Sequence, residues 1–457
     1  MESLLNYFFD DETYERYLEK TKLSREAYQA AIENNPGGVH SSYRWFPPYP
    51  FFVKSGRGSR IWDLDGNEYI DYIMGYGALI AGHSPRPIID AIKEVIDNGT
   101  IFTIPYELQI KLVREILRRY PMMDSARISN TGTEAVTHAI KIARVYTGRE
   151  GVIKVEGGYH GGYDAVKVSE YVRPGQWGDP SRPKRVLAPG VPKSTMDNTY
   201  VVRYNDVESL EKILAEYSDY IACMILEPIM MNNVGFIPPR DDYLKKVEKL
   251  LRQYQIVFIA DEVKTGYRIS YGGAVEYFGI SPDIVVMAKA LGGGVPISAV
   301  ALKKELRGVI YPEGRYAFAG TYNGNVISVA GAYANLTDIL SREAYRRLSR
   351  VGELFGDMVT ELIESEGLPL TTSYIGSSGA IHFMDREPKD FRDVMLNYNF
   401  TAYRRFWTML LTEDVLIRGP PDGEPYFLSL AHTEEDIYIT VEKMRRVFKK
   451  LVEKGYL

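Results

Sequence analysis

Lys289 follows the apolar run from Ile284 to Ala288 and precedes Gly292-Gly293-Gly294. A lysine in such a place is partly desolvated, which favours the neutral, nucleophilic amine over the ammonium. That amine can condense with a carbonyl; read alone, the segment is more often a solvated lysine at a strand end. Asp261 closes a second apolar run, Val257 to Ala260. A carboxylate there can pair with a protonated ring nitrogen, or it can cap a helix or bind a metal. The six histidines are scattered and no His-x-x-x-His or Cys-x-x-Cys pair occurs, so metal ligation is disfavoured and no metal site is expected.

Asn130-Thr131-Gly132-Thr133-Glu134 opens an amphipathic stretch with Val136, Ala139, Ile140, Ala143 and Tyr146 at helical spacing. Free amides of Gly132 and Thr133, with the Thr133 hydroxyl, can hold a phosphate at the positive end of the helix dipole. Either Thr131 or Thr133 can equally be a simple N-cap. Tyr159 and His160 lie between glycines in Gly157-Gly158-Tyr159-His160-Gly161-Gly162, where backbone can approach a ligand and an aromatic ring can stack on a flat heterocycle. The turn-rich segment Gly320 to Asn325 is a second phosphate-clamp candidate. The sequence contains no G-x-x-x-x-G-K-[ST] loop and no G-x-S-x-G elbow, and Gly292-Gly293-Gly294 lacks the strand and helix context of a dinucleotide site.

Short apolar runs alternating with helical stretches from about residue 105 to 330 predict βαβ units around a largely parallel sheet. The runs Val152 to Val155, Ile221 to Leu226, Val257 to Ala260 and Ile284 to Ala288 are nearly all apolar, as in strands covered on both faces. They end in Glu156-Gly157, Glu227-Pro228, Asp261-Glu262 and Lys289, so four strand ends are expected to face one cleft, since ligands gather at the carboxyl ends of such strands. Before this core come a helical segment to about residue 35, the breaker Pro36-Gly37-Gly38, and expected strands Phe51 to Lys54, Arg60 to Asp63 and Glu68 to Tyr72 with a turn at Asp65-Gly66-Asn67. After it come expected helices Arg342 to Glu366 and Glu434 to Lys454 with short strands, a smaller α+β unit joined to the N-terminal segment. The expected division is 1–75, 76–335 and 336–457.

The 457 residues are 45% hydrophobic and 25% charged, enough for a sizeable core, and the net charge of −5 argues against a polyanion-binding surface. The single cysteine, Cys223, lies inside an apolar run, which reads as a buried inert thiol in a reducing compartment. No basic N-terminal region precedes an apolar run and no stretch of about 18 apolar residues occurs. A cytoplasmic protein without nucleic-acid or membrane partners is expected.

The segments N-T-G-T-E-A, Y-H-G, E-P, D-E-V-K-T-G-Y-R, A-K-A-L-G-G-G-V-P and G-T-Y-N-G-N, in this order and spacing, resemble the class III aminotransferases over about residues 35–450. Within that family Pro36 to Arg44, Ala143-Arg144 with Thr147-Gly148-Arg149, Pro192, and Leu428 to Thr433 look most like the glutamate-1-semialdehyde 2,1-aminomutase branch. The resemblance implies an α/β enzyme of fold type I: a large domain with a mostly parallel seven-stranded sheet, a smaller α+β domain, pyridoxal 5'-phosphate as cofactor, and a homodimer. It implies Lys289 as Schiff-base lysine and general base, Asp261 as ring-nitrogen partner, and Val263 and Tyr159 on the two ring faces. It also places Asn232 near the ring hydroxyl, with Gly132, Thr133, His160 and Glu227 in the cofactor site. Thr321 would reach the phosphate in the neighbouring subunit. Arg44, Trp45 and Glu424 fall at substrate positions; Arg44 would grip a carboxylate through a bidentate pair.

Three departures bear on substrate. The loop Val168 to Trp177 replaces a small-residue run of the aminomutases, Trp45 to Phe52 is more aromatic and resembles aminotransferases acting on β-amino acids, and Met230-Met231 replaces smaller residues. The readings in play are aminomutase, ω- or β-amino acid transaminase, amino-acid racemase, and a non-catalytic protein that keeps the fold.

Overall fold

The computed structural model describes residues 2–232, 235–417 and 425–457. Its centre is a sheet of β1 (Ser125–Ser129), β2 (Gly151–Val155), β3 (Thr199–Val202), β4 (Ile221–Leu226), β5 (Val257–Glu262), β6 (Ile284–Met287) and β7 (Ser298–Leu302). The strands lie in the order β1-β7-β6-β5-β4-β2-β3. Neighbours from β6 through β3 are parallel, whereas β7 runs antiparallel to both β6 and β1. Every residue of β2, β4, β5, β6 and β7 is buried, which is why these runs are largely apolar and show no alternation. β5 continues two residues past its expected end at Ala260, so Asp261 and Glu262 are strand residues and point to opposite sides of the sheet.

Helix α1 (Gly132–Thr147) covers one face, burying Ala135, Val136, Ala139, Ile140, Ile142 and Ala143 in a cluster with Val152, Ile225, Ile259 and Val286. Full burial of each valine or isoleucine is worth about 1.5–3 kcal/mol. The expected apolar stripe stops at Ala143, because Tyr146 is 48% exposed. Cys223 on β4 is fully buried and its thiol is pushed up to about 12 by that burial, so it is inert at neutral pH.

The chain's two ends meet outside this core. Val53–Arg57, Arg60–Asp63 and Glu68–Asp71 form an antiparallel sheet that Val415–Leu416 completes in parallel. The first of these strands starts at Val53 rather than Phe51, because the Phe51 ring instead stacks on Tyr69 with centroids 4.8 Å apart. The expected turn forms at Asp63 to Glu68, with Asn67 donating its backbone N–H to the Asp63 carboxylate at 2.8 Å. The N-terminal helical segment is three helices, Glu2–Phe8, Asp11–Lys20 and Lys22–Asn34, and the C-terminal helices are Arg342–Ser365, Phe391–Asn397, Phe400–Thr412 and Glu434–Glu453. Among the described residues no helix is long and apolar enough to cross a membrane.

Candidate active site

Five strand ends converge on one cavity of about 290 Å³, lined by Gly132 and Thr133 after β1, Tyr159 and His160 after β2, Asn232 after β4, Asp261 and Val263 from β5, and Lys289 after β6. Helices cover both faces of the sheet, and the strand order reverses between β2 and β4, so the cavity forms at the carboxyl ends of the strands. Lys289 has a backbone φ of +42°, a left-handed conformation that costs a non-glycine residue about 1 kcal/mol or more. Leu291 N–H to Ala288 O (2.9 Å) and Gly292 N–H to Lys289 O (3.0 Å) close the turn around it.

Asp261 is 3% exposed. Its Oδ2 lies 2.6 Å from His160 Nδ1, and its Oδ1 accepts the Val263 N–H at 3.0 Å. Facing a carboxylate, Nδ1 carries the proton. His160 Nε2 is buried and has no hydrogen-bond partner in the described structure. Behind Asp261 sits Glu227, which does not line the cavity. Its Oε2 accepts the Asn232 Nδ2 amide at 2.7 Å and the Met231 N–H at 3.2 Å. Burial, then the neighbouring Asp261 carboxylate, pushes the Glu227 carboxyl well above the usual carboxylate range. Asn232 also donates to Tyr159 O at 3.2 Å, so this acid holds the tyrosine segment through an amide. Glu262 turns to the opposite side, accepting from Ala274 N (3.0 Å) and Val275 N (2.8 Å).

The ambiguity at the start of α1 resolves into two roles. Thr131 is the N-cap, its hydroxyl accepting from Glu134 N while the Glu134 carboxylate receives the Thr131 N–H at 2.7 Å. Thr133 instead stands inside the first turn and accepts the Gly162 N–H at 3.1 Å. Both flanking glycines are needed: a Cβ on Gly161 would lie 2.5 Å from Thr133 Oγ1, and one on Gly132 would lie 3.1 Å from Val263 Cγ1.

The substrate positions fall differently. Arg44 is exposed, at the end of the short turn Ser42–Arg44, and the Trp45 Nε1–H donates to Tyr28 OH at 3.1 Å, turning toward the N-terminal helices. Neither residue lines the cavity. Thr321 is exposed and also outside it, although its segment abuts the phosphate-site loop through Asn130 Nδ2 and Asn323 Oδ1 at 3.0 Å. Glu424 lies outside the described residues.

Sequence reasoning missed a chain of tyrosines at the mouth. The Tyr43 ring stands edge-on to Tyr159 (6.2 Å, 86°), its hydroxyl meets the Tyr171 hydroxyl at 2.7 Å, and Tyr76 OH donates to Tyr43 O at 2.8 Å. Met74, Gly75, Tyr76 and Gly77 all have positive φ, so Tyr76 is presented by a strained turn. The glycines around it were the available signal. The Val168 to Trp177 loop is tied at its base by Arg392, which forks onto Glu156 (2.6 and 3.1 Å) and donates to Trp177 O at 2.8 Å.

An amine for an aldehyde, a buried carboxylate for a ring nitrogen, a helix N-terminus for a phosphate, and an aromatic and a branched aliphatic side chain for two ring faces make up the donor set of a pyridoxal-phosphate site. On this sheet they define a fold-type I pyridoxal-phosphate enzyme. The chain matches the model of the class III aminotransferases over residues 42–435 and belongs to that family, whose members depend on pyridoxal phosphate. It is 37% identical to a glutamate-1-semialdehyde 2,1-aminomutase of Methanosphaera stadtmanae, across 94% of this chain and 99% of that one. In fold it is similar to an omega-transaminase from Sphaerobacter thermophilus (TM-score 0.88, 28% identity, 93% of this chain and 97% of that one). A beta-phenylalanine aminotransferase from Variovorax paradoxus superposes with a TM-score of 0.86 at 28% identity, covering 97% of each chain.

Proposed function

We propose that this chain transfers an amino group through pyridoxal phosphate held at the 290 Å³ cavity, with an aminomutase of the glutamate-1-semialdehyde type as the first reading. The observation that supports it most is the convergence of Lys289, Asp261 and His160 at one cavity. Gly132, Thr133, Tyr159, Asn232 and Val263 hold the cofactor, Glu227 stands behind Asn232, and Thr321 serves a neighbouring copy. When bound, pyridoxal phosphate supplies an electron sink for the carbon that carries the amine. Lys289 anchors it, is displaced by the incoming amine, and then moves a proton at that carbon as a base. Asp261 keeps the ring nitrogen protonated, and His160 fixes the Asp261 carboxylate through Oδ2. Arg44, exposed beside Tyr43, serves as the cation that pairs with a substrate carboxylate.

The aminomutase reading rests on the 37% identity to a named aminomutase over nearly the whole chain. A second reading, an acceptor-dependent transaminase, is favoured by the aromatic mouth of Tyr43, Tyr76 and Tyr171, which suits a bulkier amine. A single-turnover assay separates them. Glutamate-1-semialdehyde alone yields 5-aminolevulinate if the first reading holds; turnover of a β-amino acid only with a 2-oxo acid present replaces it with the second.

The reading includes a homodimer. Ile101, Phe102, Ile104, Ile110 and Tyr322 are exposed by 37–72%, and their segments are tied together by Tyr106 OH to Gly324 O at 2.9 Å. Such a surface beside Thr321 suits a second copy. Sedimentation of Ile104→Asp should show loss of the dimer. The division 1–75, 76–335 and 336–457, which sets the seven-stranded sheet apart from the smaller sheets at the chain's two ends, belongs to the same proposal.

A further inference from the structure

Lys289 is held in its left-handed conformation by something, and the turn's own two hydrogen bonds also occur in unstrained turns. The additional hold comes from a residue 46 positions later. Asn335 is fully buried, and its Nδ2 donates to Ala290 O at 2.8 Å and to Leu291 O at 3.1 Å. Both amide protons are thereby spent on the two carbonyls that follow the lysine. Gly293, at φ +57°, makes room for this approach, since a Cβ there would lie 2.9 Å from Asn335 Cγ.

Asn335 reaches that place because the helix carrying it widens. Helix α2 (Val326–Ala334) passes into a π turn, Asn335–Ile339, in which Leu340 N–H bonds the Asn335 carbonyl five residues back at 3.0 Å. Such turns are costly and local, and they concentrate at functional sites. Arg119, 2% exposed, sustains it by donating through Nη2 to Leu336 O and, at 2.8 Å, to Leu340 O. Its guanidinium also stacks on Tyr271, 4.1 Å from the ring centroid.

We propose that Asn335, set by the π turn and Arg119, is a positioning residue that holds the strained turn after Lys289 and so aims the lysine amine into the cofactor cavity. This deepens the reading of Lys289 as the cofactor lysine and rests on it. Losing both donors leaves two buried carbonyls unpaired, which loosens the turn without touching the phosphate loop or Asp261.

The test uses cofactor-loaded wild type, Asn335→Leu, the isosteric Asn335→Asp, and Val329→Ala as a cavity control on α2. Four quantities are measured: Tm, cofactor Kd, kcat and KM for a half-reaction with an amine, and the pH at which the visible band of the bound cofactor titrates. Both Asn335 variants should lose about ten- to hundredfold in kcat and shift the band's titration, with KM and cofactor Kd within about threefold. Val329→Ala should lower Tm and leave the band and kcat in place. If the kcat loss merely tracks Tm across all three variants and the band does not move, Asn335 is structural only and the proposal falls. Should the Asn335 variants not fold, Arg119→Lys, which keeps the charge and loosens the π turn, must show the same band shift for the proposal to stand. Lys289→Ala separates the two levels: covalent retention of the cofactor under borohydride reduction that survives this change overturns the assignment of Lys289 itself, whatever Asn335 does.

Discussion

Replacing His160 by leucine tests the electrostatics of the site at a single bond. In the folded protein Asp261 has two donors, His160 Nδ1–H at 2.6 Å and Val263 N–H at 3.0 Å, and almost no access to water. Leucine removes the shorter and more polar of the two while filling a similar volume. A hydrogen bond to a charged group is worth about 1.5–3 kcal/mol, and its loss makes the carboxylate a better base. Asp261 then competes with the cofactor's ring nitrogen for the proton, and the electron sink weakens. At about 1.4 kcal/mol per tenfold, the half-reaction rate constant should fall by about ten- to hundredfold. Cofactor affinity should fall much less, because Lys289 and the start of α1 remain intact. Stopped-flow absorbance under saturating amine reads the rate constant, and fluorescence titration of the apoenzyme reads the affinity. His160→Gln, which returns a donor, should recover part of the rate. A His160→Leu enzyme with wild-type kcat, or with a defect confined to KM, would refute the reasoning.

Three further outcomes are expected. Lys289→Ala should abolish covalent retention of the cofactor under borohydride reduction, as read by intact mass, while non-covalent binding at the start of α1 persists. Glu262 is fully buried and that burial raises its carboxyl from the ordinary 4.5 to about 7. With the folded value above the unfolded one, its share of stability is complete below about pH 4.5 and is lost as pH rises through 7, about 3 kcal/mol in all. Thermal melts should therefore decline over that window, and Glu262→Gln should flatten the decline; an unchanged slope would remove Glu262 as its source. Tyr171→Phe breaks the hydroxyl pair with Tyr43 and should change kcat/KM unequally for β-amino acids with small and with aryl side chains, whereas equal loss on both would place the pair outside substrate selection.

The motifs carried their chemistry openly because each is local. Lys289 follows an apolar strand, Asp261 lies in one, and glycines bracket Tyr159 and His160, so candidate chemistry was legible from the segments themselves, whereas the cofactor roles came from the family resemblance. Helix and strand runs were equally legible, with shifts of a residue or two where side chains found other partners, as when Phe51 left its expected strand to stack on Tyr69. The mouth was not legible. Tyr43, Tyr76 and Tyr171 are distant in sequence and ordinary in type, and only their mutual hydrogen bonds mark them. Trp45, placed at the substrate by resemblance, donates its indole N–H to Tyr28 instead, because the N-terminal helices offer it a partner.

The order of apolar runs, their polar ends and the glycines determined that a parallel-type sheet would gather a lysine, an acid and a helix N-terminus at one edge. Periodicity and steric freedom are properties of neighbouring residues, so a sequence displays them. The tertiary structure alone decided which of Asp261 and Glu262 faces the cavity, that Thr131 caps while Thr133 is left for the site, and that an asparagine on a widened helical turn grips the loop behind Lys289. Those outcomes depend on hydrogen-bond partners brought together from far along the chain, and donors and acceptors are chosen only when the packed core fixes their distances.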